Sequence, residues 1–285
     1  MARIAYVNGR YQPFADAQVH IEDRGYQLAD GVYEVVAVHQ GRPLDVGPHL
    51  ERLKRSLSEV AIAWPLTPTA LRLILDRMIR KNRLVNGLIY IQITRGVARR
   101  DHAFPKRRIK PALTITARHL APTPDWVVAK GVRVITQPDL RWKRCDIKAV
   151  GLLPNVLAKQ AARAQGAFEA WLVDENGRIT EGASTNAWIV TKNGTIVTRP
   201  LGPEILAGVT RRAVRAFLAK SQGKLVERPF TLAEALQAKE AFLTSATSWV
   251  LPVVSIDGHP IGNGQPGPVA LGLRAQYAKE VAQSR

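Results

Sequence analysis

Strand-like apolar runs and helical apolar spacing alternate irregularly along this chain. Ile4–Val7 and Arg10–Phe14 flank an Asn8-Gly9 pair of the hairpin-turn type, and Gly31–His39, Leu88–Arg95 and Ala112–Arg118 read as further strands. Apolar residues recur at helical spacing over His49–Ala61 and Thr67–Lys81. Leu120–Asp125 has two prolines in six residues and no periodicity, the composition of an interdomain linker. Beyond it a strand is expected at Val132–Gln137 and a helix from about Pro154–Asn155. An Asn176-Gly177 turn joins Glu169–Val173 to Arg178–Thr180. Strands follow at Asn186–Thr191 and Thr195–Thr198, helices at Val209–Lys220 and Thr231–Ala238, and a last strand at Ala241–Thr244. Gly262–Pro268 reads as a loop rich in glycine and proline. This mixture predicts an α+β protein with a small domain over 1–119, a linker over 120–125 and a larger domain over 126–285.

The 285 residues, 46% of them hydrophobic, suffice for two cored domains. No apolar run reaches the roughly 18–20 residues of a membrane helix, and Met1–Tyr11 lacks the apolar stretch of a signal peptide. A soluble, cytoplasmic protein is therefore expected. Cys145 is the single cysteine and the six histidines are scattered, so neither a disulfide framework nor a metal site is expected. The net charge of +18 raises the question of a polyanionic partner. Much of the excess, however, lies in Leu50–Arg55 and Leu71–Arg83, where basic residues alternate with core-facing Leu and Ile as on a solvated helix face. Nucleic acid and membrane are set aside as partners. The charge still favours small anions such as carboxylates and phosphates.

Four features carry chemistry. Lys159 lies in LLPNVLAKQAARA, close to a helix start and among apolar neighbours, a setting that disfavours a cation and suits an amine that must attack an aldehyde. A lysine that snorkels to water is the alternative. Glu181, in ITEGASTN with Thr185, stands at a strand end beside Gly182, where a planar ligand could approach; the alternative is a turn glutamate. Leu206, Val209 and Thr210 lead into a helix, and Ser245, Ala246 and Thr247 lie in a hydroxyl-rich turn after a strand. Both offer phosphate contacts, or else ordinary caps and turns. Arg52, in HLERLKRS, could add a positive charge.

Taken in order, DRGYQLADGVYEVV, HLERL, the RCDIK and LAKQAA run (Arg144–Ala162), ITEGASTN, ILAGVTR and FLTSATS resemble the class IV, or branched-chain-type, aminotransferase family from about Tyr6 to about Ile256. The resemblance implies a two-domain, fold type IV pyridoxal 5'-phosphate enzyme. It would have a small N-terminal α/β domain, a larger mixed and barrel-like C-terminal domain with helices, and the cofactor between them. It implies Lys159 as the Schiff-base lysine, Glu181 as partner of the pyridine nitrogen, and Arg52, Val209 and Thr210 as phosphate ligands. Ala246 stands where D-amino-acid transaminases carry threonine, leaving its N–H and the hydroxyls of Ser245 and Thr247 as substitutes. TRGVARRDHAFP resembles the D-amino-acid transaminase form, in which Arg100, His102 and Tyr33 would bind the substrate carboxylate. The implied activity is ping-pong transamination between a D-amino acid and a 2-oxo acid by a homodimer. A branched-chain L-aminotransferase, an amine transaminase and aminodeoxychorismate lyase share the fold; a cofactor-free basic binding protein is the alternative from another class.

Overall fold

The computed structural model describes residues 3–221 and 223–283. It divides the chain into two compact units, one made of the chain up to Pro122 with Ile147–Gly151, the other of Thr123–Asp146 with the chain from Leu152 onward. The return of Ile147–Gly151 to the first unit was not expected from the sequence.

In the first unit the elements are β1 (Ile4–Val7), β2 (Arg10–Pro13), α1 (Arg24–Leu28), β3 (Gly31–His39), β4 (Arg42–Pro43), α2 (Val46–Glu59), α3 (Pro68–Lys81), β5 (Gly87–Thr94) and β6 (Ala112–His119). The strands form one antiparallel sheet in the order β2-β1-β6-β5-β3-β4. Alternation explains its two faces: Val32, Val36 and Val38 of β3 and Ile89, Ile91 and Ile93 of β5 are buried with Leu50, Leu53 and Leu57 of α2 and Leu71, Leu75 and Met78 of α3. Thr67 caps α3 by accepting from Ala70 N, and Pro68 follows in the first turn, where its missing N–H costs nothing. The returning segment lies along β3 on the same edge as β4: Val32 bridges Ala149, Tyr33 N donates to Lys148 O, and Val150 N donates to Gly31 O.

The second unit comprises α4 (Asp125–Lys130), β7 (Val132–Pro138), α5 (Leu153–Ala164), β8 (Glu169–Val173), β9 (Arg178–Gly182), β10 (Asn186–Val190), β11 (Ile196–Thr198) and α6 (Val209–Lys220). It continues with β12 (Leu225–Glu227), β13 (Phe230–Thr231), α7 (Leu232–Leu236), β14 (Glu240–Ser245), β15 (Trp249–Ile256), β16 (His259–Pro260) and α8 (Pro268–Gln283). Its mixed ten-stranded sheet runs β12-β11-β10-β14-β15-β7-β8-β9-β13, with β16 on β15. Strands β9 and β10 stand far apart in that order, yet only Ala183–Thr185 connects them and Gly182 N donates to Thr185 O. The sheet therefore curls until these strands meet, giving the barrel-like form. Strand β10 is buried on both faces: Ala187 and Ile189 belong to one core with β14 and β15, while Trp188 and Val190 belong to another with Phe217 of α6 and Leu273 and Tyr277 of α8. That double burial is why NAWIV is apolar throughout.

The expectation of a last strand at Ala241–Thr244 is corrected. Strand β14 reaches Ser245, and β15 pairs with it across a turn, Pro252 lying opposite Phe242. A proline within an unbroken apolar run gave no alternating signal, so β15 was missed, as was α8.

One buried ionic cluster ties α2 to β3. The Glu34 carboxylate, fully buried, accepts from Arg52 Nε at 2.7 Å, Arg52 Nη2 at 2.8 Å and His49 Nδ1 at 2.8 Å. Burial alone would push the Glu34 pKa up, but the Arg52 charge and the hydrogen bonds from Arg52 and His49 outweigh it and hold it at about 2. A depressed pKa makes this a source of stability present above the ordinary carboxylate range and lost as pH falls through about 2. Glu34→Gln is expected to cost about 3–5 kcal/mol near neutrality, because it removes the buried carboxylate that faces the Arg52 guanidinium. Urea denaturation of both proteins across pH should show the gap narrowing from about pH 4.5, where the unfolded carboxyl takes up its proton, down to about 2, where the folded one does; a constant gap down to acid would exclude the ionic origin.

Candidate functional site

In the second unit the chemistry gathers at one end of the sheet. Glu181, near the end of β9, is buried, and three elements hold its carboxylate. Asn186 Nδ2, from the start of β10, donates to Oε2 at 2.8 Å. Leu206 N, in the loop before α6, donates to both oxygens at 3.1 Å, and Arg141 Nη1 donates to Oε1. Arg141 also grips Asp139 through Nε and Nη2 and donates to Glu204 O. Burial works against its charge, yet Asp139 and Glu181 outweigh that and keep its pKa above the ordinary value. Nearby, burial pushes the Cys145 thiol up to about 12. A thiol at that value stays protonated.

Asn186 is the hub of this end. Its amide also donates to Leu206 O, and it pairs with Thr244 of β14 across the sheet. A Cβ on Gly208, the residue capping α6, would stand 2.0 Å from Asn186 Oδ1, so only glycine lets α6 begin there. Val209 and Thr210 occupy the first turn of α6, where backbone N–H groups have no intrahelical acceptor. Two buried hydroxyls here, Thr210 Oγ1 and Thr185 Oγ1, have no hydrogen-bond partner among the described residues. Buried polar atoms are almost always paired, so these two mark where an oxygen-rich ligand fits. At the adjoining end of β14, Ser248 N and Ser248 Oγ close onto Ser245 Oγ at 3.1 and 2.6 Å, shaping the turn that carries Ala246 and Thr247. An anchored carboxylate, a helix N-terminus with a free hydroxyl and a hydroxyl turn fit a protonated pyridine that carries a phosphate.

In the first unit the structure brings Tyr33 together with Lys148. They are cross-strand neighbours, and the Lys148 amine lies 4.3 Å from the centroid of the Tyr33 ring. Tyr33 stacks on Tyr90, whose hydroxyl donates to Gln92, and burial foremost, then Tyr33, pushes Tyr90 up to about 12. Arg52 belongs to the same unit, its guanidinium on Glu34. Arg100 and His102 lie in the loop between β5 and β6 with exposed side chains. That loop is held from beneath: the buried Arg24 donates to the carbonyls of Asp101 and His102, and Asp30 orients both Arg24 and Arg95. The Arg95 guanidinium in turn covers the Phe104 ring at 3.6 Å.

Lys159 engages a different carboxylate, that of Glu169. Its amine, with a side chain 43% exposed, donates to Phe168 O and to Glu169 Oε1 at 3.2 Å. Glu169 is fully buried and also takes Ser184 N and Ser184 Oγ. Lys159 thus braces the loop between β9 and β10 from behind. Sequence reading passed over Lys148 because nothing near it has helical apolar spacing, although it closes the RCDIK run. It also passed over Arg141 and Asn186. The latter ends the ITEGASTN run, whereas the contact of Arg141 with Glu181 joins residues far apart in the chain.

Comparison with known proteins gives concordant matches. The model of the amino-transferase class IV family matches residues 31–256. The D-alanine aminotransferase of Staphylococcus epidermidis is 37% identical over 278 residues, covering 97% of each chain. That of Bacillus licheniformis is 39% identical over 274 residues, covering 96% of this chain and 95% of the relative. Among solved structures, the T.th. branched-chain amino acid aminotransferase with pyridoxamine 5'-phosphate superposes with a TM-score of 0.90 at 26% identity, over 100% of this chain and 96% of the other.

Proposed function

This chain belongs to the class IV aminotransferase family, and we propose that it moves the amino group of a D-amino acid such as D-alanine to a 2-oxo acid such as 2-oxoglutarate or pyruvate. Its cofactor is pyridoxal 5'-phosphate. The observation that carries the reading is the Glu181 carboxylate, fixed by Asn186, Leu206 and Arg141, together with the hydroxyl of Thr210 in the first turn of α6, which has no hydrogen-bond partner among the described residues. The D-amino-acid preference is supported by the relatives named D-alanine aminotransferase and by the Arg100-x-His102 pair.

When bound, the cofactor supplies a carbonyl carbon that accepts and returns the amino group and a ring that draws electrons from the substrate Cα. Glu181 keeps the ring nitrogen protonated, and its three donors keep it oriented. The first turn of α6, with Val209 and Thr210, and the turn with Ser245, Ala246 and Thr247 grip the phosphate, while Leu206, in the loop before α6, serves the site through its N–H on Glu181 and Thr185 offers a further hydroxyl. Arg52, oriented by Glu34, adds the cation that a phosphate dianion needs. Arg100, His102 and Tyr33 bind the substrate carboxylate, and the position of that carboxylate decides which enantiomer presents its Cα–H to the catalytic amine.

We assign that amine to Lys148 in place of Lys159. Lys148 shares a face with Tyr33 and makes no ion pair among the described residues, whereas Lys159 would have to abandon Phe168 O and Glu169 to react. We further read the protein as a cytoplasmic homodimer. Leu153, Val156 and Leu157 form an exposed apolar face of α5 that a second copy would cover, and the exposed Arg100 and His102 would serve the neighbour's substrate.

Three experiments test this reading. Lys148→Ala should abolish amino transfer and the visible absorbance of covalently held cofactor, while Lys159→Ala keeps activity within about tenfold and lowers Tm; the opposite pattern returns the role to Lys159. Arg100→Ala should lower kcat/KM on D-alanine by well over tenfold, since losing a bidentate contact costs about 2–5 kcal/mol. Simple chiral amines should be little affected, and a wild-type preference for L-leucine would overturn the D-specific reading in favour of the branched-chain one. Sedimentation should give a dimer that Val156→Glu with Leu157→Glu dissociates; a wild-type monomer removes the shared-site reading.

A further inference from the structure

We propose that Arg274, on α8, is a positioning residue that holds the Ser245–Ser248 turn in the shape that grips phosphate. The proposal rests on the functional reading of that turn and goes beyond it, because Arg274 lies outside every motif that carries the family resemblance.

It starts from a backbone outlier. Trp249 follows the turn directly and has φ 59°, the left-handed region that glycine and asparagine favour and that a bulky aromatic occupies only at a cost. Such a residue persists only where its surroundings over-determine it. Here the surroundings are one face of α8. A single nitrogen, Arg274 Nη1, donates to Ser248 O and to Val250 O, each at 2.8 Å, so the carbonyls on both sides of Trp249 are pinned to one point. The guanidinium carbon lies 5.4 Å from the centroid of the Trp249 ring, and Tyr277, one helical turn further along α8, lies 5.5 Å from the same ring.

The clamp fixes the orientation of the peptide that leaves the turn. Ser248 is the residue whose N–H and hydroxyl close onto Ser245 Oγ, so pinning its carbonyl also fixes the closure. The N–H groups of Ala246 and Thr247 donate to no protein acceptor among the described residues. Because Ala246 offers no hydroxyl, this turn depends on its backbone donors more than a threonine-bearing turn would. Backbone donors grip an anion only if the loop is pre-shaped. Arg274 supplies that shape from outside the site.

The test compares uptake of pyridoxal 5'-phosphate and of pyridoxal, which lacks the phosphate, by cofactor-stripped wild type, Arg274→Met and Arg274→Lys, read by absorbance or quenching of tryptophan fluorescence. Methionine keeps apolar bulk against Trp249 and removes both donations. Arg274→Met should bind the phosphorylated compound roughly tenfold or more weakly and pyridoxal within about twofold of wild type. Arg274→Lys, with one donor head, should recover part of the loss. In a Trp249→Gly background, where the left-handed backbone is unstrained, adding Arg274→Met should cost less than about threefold; this pair also decides the matter if Arg274→Met alone does not fold. Equal weakening toward both compounds, unchanged binding of the phosphorylated one, or an undiminished loss in the glycine background overturns the proposal. A wild type that takes up neither compound overturns the functional reading and this proposal with it.

Discussion

The buried carboxylate of Glu181 is the constraint around which the second unit is arranged. An ionised group inside a protein must meet a full set of donors, and Glu181 draws its donors from three separate stretches of chain: β10, the loop before α6 and the segment after β7. Satisfying it fixes where α6 begins, and Gly208 makes that beginning possible. The short Ala183–Thr185 connection brings β9 and β10 together, and the Glu181 contacts with Asn186 lock that meeting in place.

Much of this was legible in the sequence, for physical reasons that differ by element. Helices α3 and α6 were found nearly to the residue, because each is half-buried and the periodicity of burial is printed in the side chains, and strand β3 was found through its unbroken run of β-formers after Gly31. Strand β15 and helix α8 were not. The first is covered on both faces and holds a proline, and the second has an apolar stripe too narrow to stand out, with only Ala270, Leu273 and Tyr277 buried. In the candidate site, Glu181 and Thr210 were singled out through local cues, a glycine beside a strand end and a helix start. Arg141 and Lys148 stand out only through what they touch, and their partners are distant in sequence; Asn186 lies five residues from Glu181, but its contacts with Leu206 and with Thr244 of β14 are long-range. Lys159 drew attention through its apolar neighbours, but Leu153, Val156 and Leu157 are exposed, so the apolar setting belongs to a surface of α5 and not to a pocket around the amine.

Charge gives a similar lesson. The basic excess reads as solvated helix faces, and α2 and α3 do carry such faces. Yet Arg24, Arg95, Arg199 and Arg211 are buried, each forked between a carboxylate and backbone carbonyls of separate segments. These arginines act as internal ties. A planar guanidinium with five donors suits that task, which a lysine in the same place would not perform.

The excursion of Ile147–Gly151 bears on how the protein is made. Gly31–Tyr33 leave the ribosome early, but the edge partner of this stretch is Lys148–Val150, so the first sheet cannot complete that edge until the chain has entered the second unit and come back. The first unit is therefore not an autonomous product of the first half of translation, and a break near Pro122 would separate Tyr33 from the lysine beside it. Synthesis order and assembly order are interleaved.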